Sequence, residues 1–178
     1  MRTAILRSSS NMKEIRLILP IYSEEISALN LNDKVLLSGT VYTARDEAHK
    51  RMIAILKKGE TLPFDLAETA IFYCGPSPAA PGKICGAIGP TTSSRMDPYT
   101  PDMLKAGLKV MIGKGDRSVE TQQEIKAAGA LYLIAIGGIS AVLSQSIVSC
   151  ETFLWEHLGA EAVYKMELKD FPCYVGIV

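Results

Sequence analysis

The chain has no net charge: 19 lysines and arginines stand against 19 aspartates and glutamates. No overall field would draw it to nucleic acid or to an anionic membrane. Its four cysteines, Cys74, Cys85, Cys150 and Cys173, form no C-x-x-C pair and have no histidine close by. That spacing is not a zinc site, and by themselves they could not supply the usual cysteine set of an iron–sulfur cluster. The first residues hold no apolar segment long enough for a signal peptide. Residues 1–11 are expected to be an untethered tail, with Met12 an alternative start. Residues 127–150 carry no charge over 24 positions, long enough to span a bilayer. Gly137-Gly138 splits that run, and Ser140, Ser144, Gln145 and Ser146 follow at helical spacing. It reads as a buried strand, a glycine turn and a half-buried helix. The expectation is a soluble, cytoplasmic chain whose thiols stay reduced.

What is present alternates between short apolar runs and amphipathic segments. Residues 14–19 and 34–37 read as strands, with Asn32-Asp33 as the turn between them. Thr43 is placed to cap a helix that ends at Gly59 after Lys57-Lys58. Asp46 with Lys50 and Glu47 with Arg51 are spaced as i,i+4 pairs along it. Residues 69–74 and 84–88 read as strands flanking a Gly/Pro loop. Thr100-Pro101 opens a helix stopped by Gly107, residues 110–112 form a strand, and Ser118 caps a helix running to Ala128. Residues 131–135 make a further buried strand. A helix is expected over 151–157, and residues 162–168 and 173–177 as a closing pair of strands. The pattern predicts one α/β domain over residues 12–178, with a mainly parallel sheet and a second antiparallel layer.

Three clusters stand out. Gly89-Pro90-Thr91-Thr92-Ser93-Ser94-Arg95 follows an apolar run, which is where open α/β sheets bind ligands. A plain turn whose hydroxyls cap backbone groups fits the same residues equally well. Gly113-Lys114-Gly115-Asp116-Arg117-Ser118 repeats the arrangement without P-loop spacing. Lys114, between glycines, is either solvated or an anion ligand, while Asp116 and Arg117 are expected to pair with neighbours. In residues 38–46, Arg45 opposes the helix dipole, so its charge has another use. His49 and His157 read as packing or surface residues.

SGTVYTARDEAHKR, GPTTSSRMDPYTPDML and VMIGKGDRS, in that order, together resemble the C-terminal part of iron–sulfur-dependent class I fumarate hydratases. They resemble equally the β subunit of two-subunit fumarate hydratases and L(+)-tartrate dehydratases. The resemblance runs from about Ile15 to the C-terminus and includes GGISAVL and LGAEAVYKMELKDFP. It implies a swivelling β/β/α three-layer domain with a mainly parallel central sheet and a second, smaller one. It also implies reversible hydration of a four-carbon dicarboxylate, with malate and fumarate before tartrate and oxaloacetate. The [4Fe–4S] cluster would be held by a separate α subunit, not by this chain, and β–β contacts would build a heterotetramer. By position, Arg45, Arg95 and Lys114 match the substrate-binding cations, with Lys114 and Thr91 as catalytic residues. Thr91 matches the threonine proposed for proton transfer, and would need a cation or relay partner, because a hydroxyl is a poor base at neutral pH. Asp116 stands where the family often has asparagine, and Ser93-Ser94 where it has a small pair such as Ala-Gly. The other reading is a stand-alone dicarboxylate-binding or regulatory module without catalysis.

Overall fold

A computed structural model of the chain describes residues 4–7, 13–135 and 143–178. The described residues form a mixed α/β domain. Five strands run parallel in the order β2 (Lys13–Ile18), β3 (Lys34–Thr43), β4 (Ala70–Phe72), β5 (Val110–Gly113) and β6 (Leu131–Ala135). A β1 strand, Ala4–Arg7, adds antiparallel to β2. Part of the segment expected to be an untethered tail is therefore an edge strand. On the far side β8 (Val163–Ile177) pairs antiparallel with β6, with β7 (Ile147–Leu154) and with β3. Pairings β3–β4–β5–β6–β8–β3 thus close a circuit.

The strands read as unbroken apolar runs because both their faces are buried. Phe72, Ile112, Leu131 and Leu133 point into one core with Val35, Leu37, Phe171 and Val175. Ile71, Met111 and Tyr132, one residue out of phase, point into a second. There they meet Met52 of α2 (Asp46–Lys57), Met103 of α3 (Thr100–Lys105) and Ile125 of α4 (Val119–Ala127). A short helix, α1 (Ser23–Ser27), leads from β2 to β3 and buries Ile26.

Ser118 caps α4 as expected, its hydroxyl accepting the Thr121 N–H at 3.2 Å. Other expectations need correction. β3 continues to Thr43, so Arg45 and not Thr43 occupies the N-cap of α2. The Thr43 hydroxyl instead accepts the Tyr164 N–H at 2.9 Å. Asp46 pairs with Arg95 and Glu47 with Lys50, in place of the i,i+4 pairs. Residues 84–88 make no strand: no neighbouring strand pairs with them, and Ile84 is exposed. Residues 151–154 belong to β7, because pairing with β8 outweighs local helix preference. The closing pair of strands is one continuous strand, kinked where Asp170 takes a positive φ of 51° and donates its N–H to Ser38 Oγ. The expected glycine turn at Gly137-Gly138 and the start of its helix lie outside the described residues. Among the described residues no helix is long and apolar enough to cross a membrane.

Candidate functional site

In a parallel sheet all carboxyl ends emerge on one edge. Register aligns Thr43 of β3 with Phe72 of β4, and Phe72 with Ile112 of β5. The chain leaving β3 reaches Arg45 after two residues, and the chain leaving β5 reaches Lys114 directly. Residues 90–95 are laid across the ends of β4 and β5. Pro90 bridges Cys74, Thr91 donates its N–H to the Tyr73 carbonyl at 2.6 Å, and Thr92 bridges Lys114. Four separate sequence positions, Arg45, Thr91, Arg95 and Lys114, therefore gather on the carboxyl edge of three adjacent strands.

Each cation is held differently. Arg45 Nε lies 3.1 Å from Glu161 Oε1, but its N–H is not aimed at that oxygen, so the contact is an ion pair without a hydrogen bond. The other Glu161 oxygen accepts the Glu47 N–H at 3.1 Å. Arg95, half exposed, pairs with Asp46 at 2.5 Å. Lys114 is exposed, and its ammonium forms no ion pair among the described residues. The Thr91 hydroxyl has no hydrogen-bond partner among the described residues, and Thr91 is half-buried. Among the described residues the edge thus presents one unpaired ammonium, two guanidiniums balanced by carboxylates, and a hydroxyl. Anions with two carboxylates suit that set, because they can replace the internal carboxylates one at a time.

Within the hydroxyl cluster at 91–94 the residues are used differently. Thr91 stays available, while Ser93 is fully buried and ties the loops together. The Ser93 N–H donates to the Lys114 carbonyl at 2.9 Å, and Ser93 Oγ accepts the Lys114 N–H at 2.8 Å. The Tyr132 hydroxyl lies 2.7 Å from the Gly115 carbonyl and 2.8 Å from Ser93 Oγ. A carbonyl can only accept, so Tyr132 donates to Gly115 and Ser93 donates to Tyr132. Burial pushes the Tyr132 phenol up to about 12, against the pull of the Ser93 hydrogen bond and the Arg117 charge. It stays a neutral donor across the physiological range.

Arg117 and Asp116 do not pair with each other. Asp116 is exposed and makes no ion pair among the described residues. Arg117, whose side chain is 0% exposed, donates from Nε to Asp97 and from Nη2 to Thr100 Oγ1, both at 2.6 Å. These contacts, with Ser93, Tyr132, Asp46 and Glu161, were not legible from spacing. Their partners lie roughly 20 to 120 residues apart, and no periodicity links such positions.

Beneath this edge His49 is buried, its Nδ1 donating to the Arg45 carbonyl at 2.8 Å and its ring stacked on Tyr99. Burial lowers its pKa from 6.5 to about 4, with Arg117 acting the same way and the Arg45 carbonyl and Asp46 opposing. Between those two values the unfolded chain binds a proton that the folded chain refuses, so stability falls as pH drops through that window. The loss should approach about 3 kcal/mol near pH 4. Urea unfolding of wild type and His49→Gln at pH 7 and pH 5 checks this: the variant should lose less on acidification.

All four cysteines are free thiols. Cys74 and Cys173 are buried, and burial pushes both thiols well up. Cys150 is pushed up to about 11 by burial and by nearby Cys85 and Glu151. No group of three His, Cys, Asp or Glu placed to hold a metal ion exists among the described residues. A cavity of about 480 Å³, lined by Leu56, Leu62, Phe64 and Leu66 among others, involves none of the four edge residues. It lies beyond the C-terminal end of α2, whereas Arg45 caps the other end.

Comparison with known proteins gives the family. The family model described as Fumarase C-terminus matches residues 2–178. "Fumarate hydratase 1, mitochondrial" of Leishmania major is 34% identical over 97% of this chain and 32% of its own length. "Fumarate hydratase class I, aerobic" of Escherichia coli is 38% identical over 85% of this chain and 28% of its own length. "Putative L(+)-tartrate dehydratase subunit beta" of Methanocaldococcus jannaschii is 37% identical over 83% of this chain and 78% of its own length. The chain thus spans about a third of the two hydratases and most of the subunit.

Proposed function

The chain belongs to the fumarase C-terminus family, and from that premise we propose that it is the β-type half of a hydro-lyase acting on a four-carbon dicarboxylate. Malate and fumarate are the first choice of substrate pair, tartrate and oxaloacetate the second. One observation carries the reading: Arg45, Thr91, Arg95 and Lys114 converge on one sheet edge although up to 69 positions separate them. On the same reading the domain is of the swivelling β/β/α kind, which the two cores on opposite faces of the parallel strands support.

Dehydration removes a proton from the carbon beside a carboxylate, builds negative charge on that carboxylate, and breaks the neighbouring C–O bond to release hydroxide, for which the partner's cluster would supply a Lewis acid. Arg45, Arg95 and Lys114 bind the two carboxylates, and their fixed charges are worth more as that charge grows. Thr91 stands beside Lys114's loop, where an ammonium can hold its oxygen in a proton-accepting state. On this reading a [4Fe–4S] cluster would be held by an α-type partner facing this edge. A cytoplasmic hetero-oligomer, with β–β contacts, completes the proposal.

Anaerobic co-expression with a cysteine-bearing α-type subunit tests it, by following fumarate absorbance with malate as substrate. The complex should turn over and this chain alone should not. Failure to form a complex, together with no activity on malate or tartrate, would overturn the reading. Isothermal titration separates the stand-alone binding module. Because Arg45 and Arg95 are already balanced by Glu161 and Asp46, the isolated chain should bind dicarboxylates only weakly.

A further inference from the structure

We propose that Arg117 is a positioning residue that fixes Lys114 relative to Arg95. The inference rests on the reading of the carboxyl edge as the substrate site. Arg117 stands three residues after Lys114, and Asp97 two residues after Arg95. Asp97 grips the 113–118 loop twice: Oδ1 accepts Arg117 Nε at 2.6 Å, and Oδ2 accepts the Ser118 N–H at 2.9 Å. Arg117 Nη2 reaches Thr100 Oγ1, whose own proton goes to the Met96 carbonyl at 3.0 Å. One planar guanidinium thereby joins the loop that carries Lys114 to the 3-10 turn (Ser93–Tyr99) that carries Arg95.

The guanidinium is also wedged between aromatic faces, 5.4 Å from the Tyr73 ring centre and 5.2 Å from that of Tyr132. Those rings belong to the segments that hold Thr91 and Gly115 through hydrogen bonds. The segments that hold Thr91, Arg95 and the Lys114 loop therefore all touch one side chain. Buried ion pairs of this kind add little stability over well-packed apolar groups. Among the described residues Arg117 Nη1 is moreover buried without a hydrogen-bond partner, which adds a cost. What the arrangement supplies is fixed geometry. Lysine could carry the charge but could not make the forked contact to Asp97 and Thr100 while stacking on two rings.

The test pairs Arg117→Lys with Asp97→Asn, which removes the carboxylate that both loop contacts share. Amide exchange is followed residue by residue in the chain, and kinetics in the assembled complex. In either variant the Ser93 and Lys114 amides, which bond across the two loops, should exchange about tenfold faster or more, with amides of the β2–β3 ladder unchanged. In the complex kcat/KM should fall roughly 100-fold, the scale that a displacement of about 1 Å costs. Uniform acceleration across all amides, or two variants that do not fold, would show a merely structural role and overturn the proposal. Unaltered exchange at Ser93 and Lys114 in both variants would overturn it as well. A wild-type complex without hydro-lyase activity would sink the proposed function, while the exchange data still decide whether the clamp exists.

Discussion

Replacing Lys114 by alanine should abolish turnover of the assembled complex while leaving the domain folded. The two roles of this residue are separable. Its backbone joins the loops through the hydrogen bonds to and from Ser93, and these survive the substitution. Its side chain is exposed and makes no internal ion pair among the described residues, so removal should change stability by no more than about 0.5 kcal/mol. An ammonium placed where charge develops is worth about 100- to 1,000-fold in kcat. Steady-state kinetics beside a thermal melt would check both halves. Arg95→Ala should behave likewise, because Asp46, left unpaired, remains at the N-terminus of α2, where the helix dipole favours it. Near-normal rates in both variants would mean the site lies elsewhere.

Gly113→Ala should be strongly destabilising. An added Cβ would lie 1.9 Å from Ser93 Oγ and 2.8 Å from Tyr73 Cδ2. Both atoms sit in the buried contact between the loops, so the methyl must expel the Ser93 hydroxyl and break its link to Lys114 and Tyr132. Overpacking of this sort costs about 1–3 kcal/mol or more. Activity should fall with it, since the loop carrying Lys114 is displaced. Gly115→Ala is the control: its φ is +77° but an added Cβ would meet nothing within 4 Å, so its cost is only the left-handed backbone, about 1–2 kcal/mol. The mechanism gives a sharper check. In the Ser93→Ala background, Gly113→Ala should cost clearly less, because the nearest clashing atom is gone. Equal costs in both backgrounds would rule this explanation out.

Local chemistry carried much of the fold. The capping serine before α4, the proline opening α3 and the apolar run of β6 needed no distant partner to be recognised. Errors arose where pairing decided the outcome. Residues 151–154 read locally as the start of a helix and are strand because β8 lies beside them. Residues 84–88 look like a strand and find no neighbour to pair with. Asp46 had a lysine waiting at i+4 but went to Arg95, 49 positions away.

The residues gathered at the carboxyl edge divide in the same way. The types and order of Arg45, Thr91, Arg95 and Lys114 are written in the chain: the cations stand near glycine-containing breaks after apolar runs, and the family resemblance picks out Thr91. That they form one place, and how rigidly, was decided only in three dimensions. Parallel register brings the ends of β3, β4 and β5 together. The buried links through Ser93, Tyr132 and Arg117 then hold those loops against one another. Hydrogen bonds and ion pairs of this length act over less than 3 Å between residues 17 to 39 positions apart. No sequence periodicity can announce a contact whose distance along the chain is set by how the sheet is wound.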